Sequence, residues 1–182
     1  MKLGTHNSLS YCKSQRYFRL FNFIGKCQDL NIYEQYEAGV RYYDIRVKFK
    51  KDKIVSGHGL LTYNINVEDV LDFLNDQATC NVRIVLETNL FSSKKDESKL
   101  LDTMEKWLNK YTAITFTGCY KKKPWTRLIE MEEIPYKDCF EFYKGKNLKF
   151  PYPRYYAKKK NKGYWKQVND KYYSIMDFIN IK

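Results

Sequence analysis

The sequence predicts an α/β fold built on parallel strands, and three observations predict it. β-type runs alternate with helix-period runs over residues 1–116. The 43% apolar and 17% aromatic content is that of a folded chain, not a linker or a disordered one. The candidate elements also follow one another in an order that suits βα units. With 182 residues, one domain with its own core is expected and two are not.

Leu3 to His6 reads as a short extended segment, and Asp29 to Glu37 as a helix that stops at Gly39. Val40 to Val47 (VRYYDIRV) is rich in β-branched and aromatic residues and reads as a strand with Tyr42 and Tyr43 on opposite faces. Ile54 to Gly57 is a brief third strand. Asn66 is a plausible N-cap for a helix with Val67, Val70, Leu71 and Leu74 on one face. Val82 to Thr88 (VRIVLET) has the pattern of a buried strand. Lys99 to Tyr111 reads as a helix carrying Leu100, Leu101, Met104, Trp107 and Leu108. Beyond about residue 117 the periodicity weakens, and Lys144 to Lys171 holds ten Lys or Arg against one acid, Asp170. Phe150, Tyr152, Tyr155, Tyr156, Tyr164 and Trp165 are interleaved with those cations.

The net charge of +12 favours anionic partners: phosphoinositide headgroups, acidic membrane surfaces or nucleic acid. No nucleic-acid partner is expected, since no RNP, KH or helix-turn-helix signature is present. Five cysteines (Cys12, Cys27, Cys80, Cys119, Cys139) form an odd set without CxxC or zinc spacing, so reduced thiols in an intracellular compartment are expected. No apolar run approaches the roughly 18 residues that span a bilayer, and MKLGTHNSLS lacks a secretory apolar stretch. The sequence thus reads as intracellular, peripheral to membranes, with no signal peptide or transmembrane segment.

The chain has two histidines, and each sits where a βα-type site would use it. His6 lies in GTHNS after the first strand. His58 lies in SGHGL at the end of the third, between Gly57 and Gly59, which allow a ligand close to the backbone. Asp44 and Arg46 (YDIR) and Glu87 (LETN) come late in the second and fourth strand candidates, where parallel barrels gather their chemistry. Asp44 and Arg46 are two apart and face the same way. A lone histidine in such a loop is more often structural, but two of them beside an acid and an inward arginine favour a site.

GTHNS, GVRYYDIR, SGHGL with LTYNINVEDVLDFL, and VRIVLET together resemble the X region of phosphatidylinositol-specific phospholipases C, over about residues 3–92. The resemblance implies a TIM-type (β/α) barrel with its site at the carboxyl ends of parallel strands. It implies a single X-like catalytic domain over residues 1–182, with residues 1–116 as an X-like half barrel and 117–182 as a divergent basic remainder. A full barrel of this kind runs to roughly 250 residues, so a truncated or incomplete one is expected here.

By that resemblance His6 is the general base on the inositol 2-hydroxyl, His58 protonates the departing diacylglycerol oxygen, and Arg46 holds a phosphoryl oxygen. The product would be inositol 1,2-cyclic phosphate. Asp44 belongs to the catalytic set, and Asn7 and Glu87 to substrate binding. One branch of the family uses calcium, for which Asn7, Asp44 and Glu87 are the matching positions. Arg46 stands where that branch has an acidic ligand, so a metal-independent site is expected, with no cofactor. The metal-free branch usually has Asp where Asn7 stands, leaving Asp44 or Glu87 to substitute. A carboxylate that supports the base from the second half cannot be located by the resemblance.

The expected partners are phosphatidylinositol or a related lipid and an anionic membrane surface, with the basic segment Lys144 to Lys171 as the docking element. Ile134 to Phe150 faintly echoes a later family strand. The rival reading is a non-catalytic phosphoinositide- or membrane-binding protein on a degenerate barrel.

Overall fold

The first strand of the chain lies in the middle of the sheet, paired with the second on one side and the last on the other. In the computed structural model the described residues are 1–15, 20, 22–51, 53–77, 79–87, 94–117, 134–138 and 153–182. They form, in order, β1 (Leu3–Thr5), α1 (Asn22–Gly25), α2 (Ile32–Glu37), β2 (Val40–Lys50), β3 (Lys53–His58) and β4 (Leu61–Thr62). These are followed by α3 (Val67–Asp76), β5 (Cys80–Leu86), α4 (Lys94–Lys110), β6 (Ile114–Thr117), β7 (Tyr136–Asp138), α5 (Pro153–Trp165) and β8 (Tyr173–Met176).

Six strands make a parallel array in the order β6-β5-β2-β1-β8-β7. It is curled, because residues on strands far apart in that order meet on its inner face. Arg83 of β5 lies 3.6 Å from Asp138 of β7. Tyr42 of β2 packs its ring near Tyr136 of β7 and Tyr173 of β8, and its hydroxyl is 3.0 Å from that of Thr117 on β6. The fold is therefore an open, distorted α/β barrel, in keeping with the fold class expected from the sequence.

Period-2 alternation sorts the side chains. Tyr42, Asp44 and Arg46 face the lumen, whereas Tyr43, Ile45 and Val47 join the apolar core outside the sheet, with Val82, Ile84 and Leu86 of β5. Val67, Val70, Leu71 and Leu74 of α3 and Leu100, Met104 and Trp107 of α4 cover that outer face. Each such side chain contributes about 1.5 to 3 kcal/mol when fully buried. Asn66 caps α3 as its sequence predicts, accepting from the Glu68 N–H. Asn31 and Glu34 cap α2 reciprocally in a capping box. Trp107 Nε1 donates to Glu68 at 3.3 Å and ties α4 to α3.

The third strand departs from the expected βα order. β3 is antiparallel to β2, folding back after Lys51 so that Val47 pairs with Ser56. Val47 also pairs with Leu86 of β5, and Tyr43 pairs with both Thr5 of β1 and Val82 of β5. β3 thus occupies the same edge of β2 as β1, beyond the point where β1 ends. This hairpin aims His58 back toward His6. α4 begins five residues before the Lys99 expected, and part of the basic segment forms α5, whose buried face is Ala157, Asn161 and Tyr164. Cys12, Cys27 and Cys80 are free thiols. Thr88, Cys119, Cys139 and residues 139–152 lie outside the described residues, so of the Ile134 to Phe150 segment only its start is seen, as β7.

Candidate functional site

β1 ends at Thr5 and the chain turns at once. Asn7 has φ of 45°, a left-handed conformation that Asn tolerates better than most residues. The turn holds His6 over the carboxyl end of the sheet, and the Asn7 N–H donates to Asp44 Oδ2 at 3.1 Å. β8 ends in the same manner, with Asp177 after Met176 and Phe178 at φ of 45°. Buried Gln28 joins the two turns, its Nε2 donating to the carbonyls of His6 at 3.1 Å and Met176 at 2.7 Å.

These two turns bring His6 Nδ1 within 2.8 Å of Asp177 Oδ1, both side chains 1% exposed. With the proton on Nδ1 donated to Asp177, the lone pair of the ring falls on Nε2. Nε2 faces Arg46 Nη2 at 2.7 Å. Asp177 is thus a carboxylate from the second half of the chain bonded to His6, at a position the sequence does not reveal.

Arg46 is the hub. Its Nε and Nη2 each donate to Asp44 Oδ2 at 3.2 Å, and Nη1 donates to Glu87 Oε1 at 2.7 Å. Beneath it Arg83 Nε donates to Asp44 Oδ1 at 3.2 Å. Burial of Asp44 opposes its ionisation, but the guanidinium groups of Arg83 and Arg46 outweigh that and hold its carboxyl far below the usual carboxylate range. Burial likewise works against the charge on Arg46, and Asp44 and Glu87 more than restore it. The two carboxylates that a calcium ion would need are therefore both engaged by a fixed cation.

Glu87 also accepts the Gly59 N–H at Oε2, 3.1 Å away, and so ties the tip of the β3–β4 hairpin to Arg46. Lys48 grips the same hairpin from below, its Nζ donating to the carbonyls of Leu61 and, at 3.2 Å, Gly59. A Cβ on Gly57 would lie 2.4 Å from both Leu61 O and Lys48 Cε. The space left by that glycine thus admits the lysine, not a ligand. Gly59, at φ of 55°, makes the turn.

Half-buried His58 sits on this clamped hairpin. Burial pushes its pKa down to about 4, with the positive field of Arg46 adding to the effect and Glu87 opposing it. Glu87 is the carboxylate whose field most favours a charged His58. The Asn7 side chain instead donates to the Gly25 carbonyl at 3.2 Å, and its Oδ1 has no hydrogen-bond partner among the described residues.

All six residues read from the sequence, His6, Asn7, Asp44, Arg46, His58 and Glu87, are gathered at this end of the barrel. Asp177, Lys48 and Gln28 were missed. A carboxylate ending the apolar run YSIM was the one signal for Asp177, since a buried acid requires a partner. Lys48→Met should loosen the hairpin without touching His6, and any turnover that depends on His58 should fall by about 10-fold to 10²-fold, the cost of misplacing a side chain at a reaction centre by roughly 1 Å. Faster amide hydrogen exchange at Gly59 and Leu61 should accompany that loss.

A pair of histidines, one of them bonded to an aspartate, and an arginine between two carboxylates thus stand together at the carboxyl end of an open parallel α/β barrel. The family described as "Phosphatidylinositol-specific phospholipase C, X domain" matches residues 2–132. A 1-phosphatidylinositol phosphodiesterase of Listeria monocytogenes is 29% identical over 102 residues, covering 56% of this chain and 30% of that relative. The solved phosphatidylinositol-specific phospholipase C from Listeria monocytogenes superposes with a TM-score of 0.67 at 16% identity, over 97% of this chain and 87% of that one. A Staphylococcus aureus phosphatidylinositol-specific phospholipase C superposes with a TM-score of 0.64 at 13% identity, over 100% of this chain and 86% of that one. The chain belongs to the phosphatidylinositol-specific phospholipase C X-domain family.

Proposed function

We propose that the protein is a metal-independent phosphodiesterase that cleaves the glycerol–phosphate bond of phosphatidylinositol or a related lipid. The observation that carries this reading is the His6–Asp177 pair whose Nε2 lies 2.7 Å from Arg46 Nη2. His6 Nε2 takes the proton of the inositol 2-hydroxyl as that oxygen attacks phosphorus, and Asp177 stabilises the imidazolium. Arg46 exchanges its contact with Nε2 for a phosphoryl oxygen and stabilises the charge that builds there. His58 gives its proton to the diacylglycerol oxygen as the phosphorus–oxygen bond breaks, leaving inositol 1,2-cyclic phosphate. Phosphorus NMR of a reaction with phosphatidylinositol in EGTA tests this: a five-membered cyclic phosphate is expected. Lipid binding with no turnover would instead favour the non-catalytic reading.

A general acid must be protonated when it acts, and His58 is neutral at pH 7 if its pKa stays near 4. An anionic phosphodiester bound to Arg46 offsets the field that lowers it. Ring NMR of the free protein should therefore show His58 titrating near 4, and a substrate-like phosphodiester analogue should move that midpoint upward. A midpoint unmoved by the analogue would remove His58 from the acid role. Because the folded value lies below the unfolded 6.5, His58 also makes the fold lose stability as pH falls from about 6.5 toward 4.

No helix among the described residues is long and apolar enough to cross a membrane. Contact with a bilayer is proposed through the rim of the mouth, where Leu60 beside His58 is 75% exposed and Phe23 and Tyr155 are 51% exposed. Arg154, in the first turn of α5, bonds Asp29 and stacks over Phe178 next to the base, which sets the amino end of α5 at this rim. Lys158, Lys159, Lys160 and Lys162 are exposed along the helix behind it. Changing these four to Gln should weaken binding to anionic vesicles at low salt by up to about 1 kcal/mol per lysine, leaving hydrolysis of a soluble substrate intact. Vesicle affinity indifferent to the change would confine docking to the apolar rim.

A further inference from the structure

A third metal-binding side chain stands beside the His6–Asp177 pair and has no part in the chemistry above. Cys27 is 1% exposed and held by its backbone, its N–H donating to Ser10 Oγ at 2.8 Å and its carbonyl accepting from Phe178 at 2.6 Å. One ring nitrogen of His6, Cys27 Sγ and a carboxylate oxygen of Asp177 all lie within 4.8 Å of one another. Asp177 Oδ2, although buried, has no hydrogen-bond partner among the described residues, and neither has Asn7 Oδ1, whose amide nitrogen is 3.9 Å from Cys27 Sγ.

The geometry points to an inhibitory site for a soft divalent metal such as Zn²⁺, bound by His6 Nδ1, Cys27 Sγ and Asp177. Imidazole, thiol and carboxylate are the donor set of zinc, whereas calcium and magnesium take oxygen ligands. Nδ1 is the ligating nitrogen because Nε2 faces the Arg46 cation. The fourth position is filled by water or by the unpartnered Asn7 Oδ1. On binding, the thiol proton is released to solvent, a sulfur–metal bond forms, and the imidazole proton moves from Nδ1 to Nε2, which gives up its hydrogen bond from Arg46 Nη2 because two N–H donors cannot share that contact. No electron is transferred. With Nε2 protonated and Asp177 taken by the metal, His6 has no lone pair for the hydroxyl, so turnover stops. The site stands on geometry alone, while the loss of turnover rests on the proposed function.

Titrating the full chain with Co²⁺, followed by absorption, tests the site apart from any activity. A thiolate-to-cobalt charge-transfer band should saturate at one equivalent, and dialysis against Zn²⁺ should leave one zinc per chain by elemental analysis. Cys27→Ser and Cys27→Ala, checked by their melting curves, should each lose the band and weaken zinc binding at least about 10-fold. With phosphatidylinositol as substrate, one equivalent of Zn²⁺ should abolish turnover of the natural chain, and Cys27→Ser should turn over in its presence. Calcium should compete with neither. A natural chain that gives no band and retains no zinc overturns the proposal, and so does unchanged affinity in a folded Cys27 variant. A saturating band in a protein that turns over no lipid supports the site and refutes the phosphodiesterase reading instead.

Discussion

Replacing His6 by Ala is expected to lower kcat by at least about 10²-fold, and His58→Ala by a similar amount, since each removes one positioned proton transfer. The double variant should lose far less than the product of the two, because the pair acts as a unit on one reaction. Asp177→Asn separates orientation from chemistry. The ring of His6 stays, but an amide offers its NH₂ as well as its carbonyl, so Nδ1–H is no longer held by a charge and the imidazolium loses its counter-ion across 2.8 Å. Its kcat should approach that of His6→Ala, and its KM should change little. Turnover close to that of the natural chain in any of these three would end the assignment of base and acid. Melting curves belong beside these rates, because His6→Ala leaves the buried Asp177 carboxylate without its ring partner, whereas Asp177→Asn removes the charge itself.

Arg46 should show the other large effect. Arg46→Ala removes the cation on the phosphoryl oxygen and should cost roughly 10² to 10³ in kcat, as losing an oxyanion donor does. Asp44 would still be paired, because Arg83 Nη2 remains 3.1 Å from Oδ2, so the loss should be chemical more than structural. Turnover of the natural chain should be indifferent to EGTA. Arg46→Asp frees Glu87, leaves Asp44 to Arg83 alone and adds a third carboxylate to the site. That variant should regain part of its activity with calcium in roughly the millimolar range, the affinity usual for exposed, loosely built calcium sites. A natural enzyme silenced by EGTA and restored by calcium would overturn the metal-free reading.

Much of this arrangement was legible in the sequence because local physics writes it there. The stripe Val67, Val70, Leu71 and Leu74 with its Asn66 cap specifies α3 whatever surrounds it. The alternation through Tyr42, Asp44 and Arg46 could only place these three on one face, and their polarity made it the lumen. The direction of β3 was not legible. Two-residue hairpin loops usually advertise themselves with Gly or Asn, and here Lys50 pairs with Lys53 across a link that has neither. Lys51 pays the cost of φ at 49° in their place. Asp177 was invisible for another reason: its meaning comes from a histidine 171 residues away, and no local pattern encodes a contact made only when β8 pairs with β1. Lys48 hid likewise, since a lysine in a strand reads as a solvent-facing residue until the hairpin folds over it.

That same distance between His6 and Asp177 orders events in time. His6, Arg46 and His58 all lie in the first third of the chain, and the strands that carry them can pair as soon as they are synthesised. The aspartate belongs to the strand that closes the sheet last, across a loop whose closure entropy is paid only when nearly everything between has been made. Until β8 has been made, the His6 ring has the early carboxylate of Asp44 near its Nε2 but no carboxylate at Nδ1. The contact between His6 and Asp177 is therefore a late one, made in a single step when β8 docks beside β1.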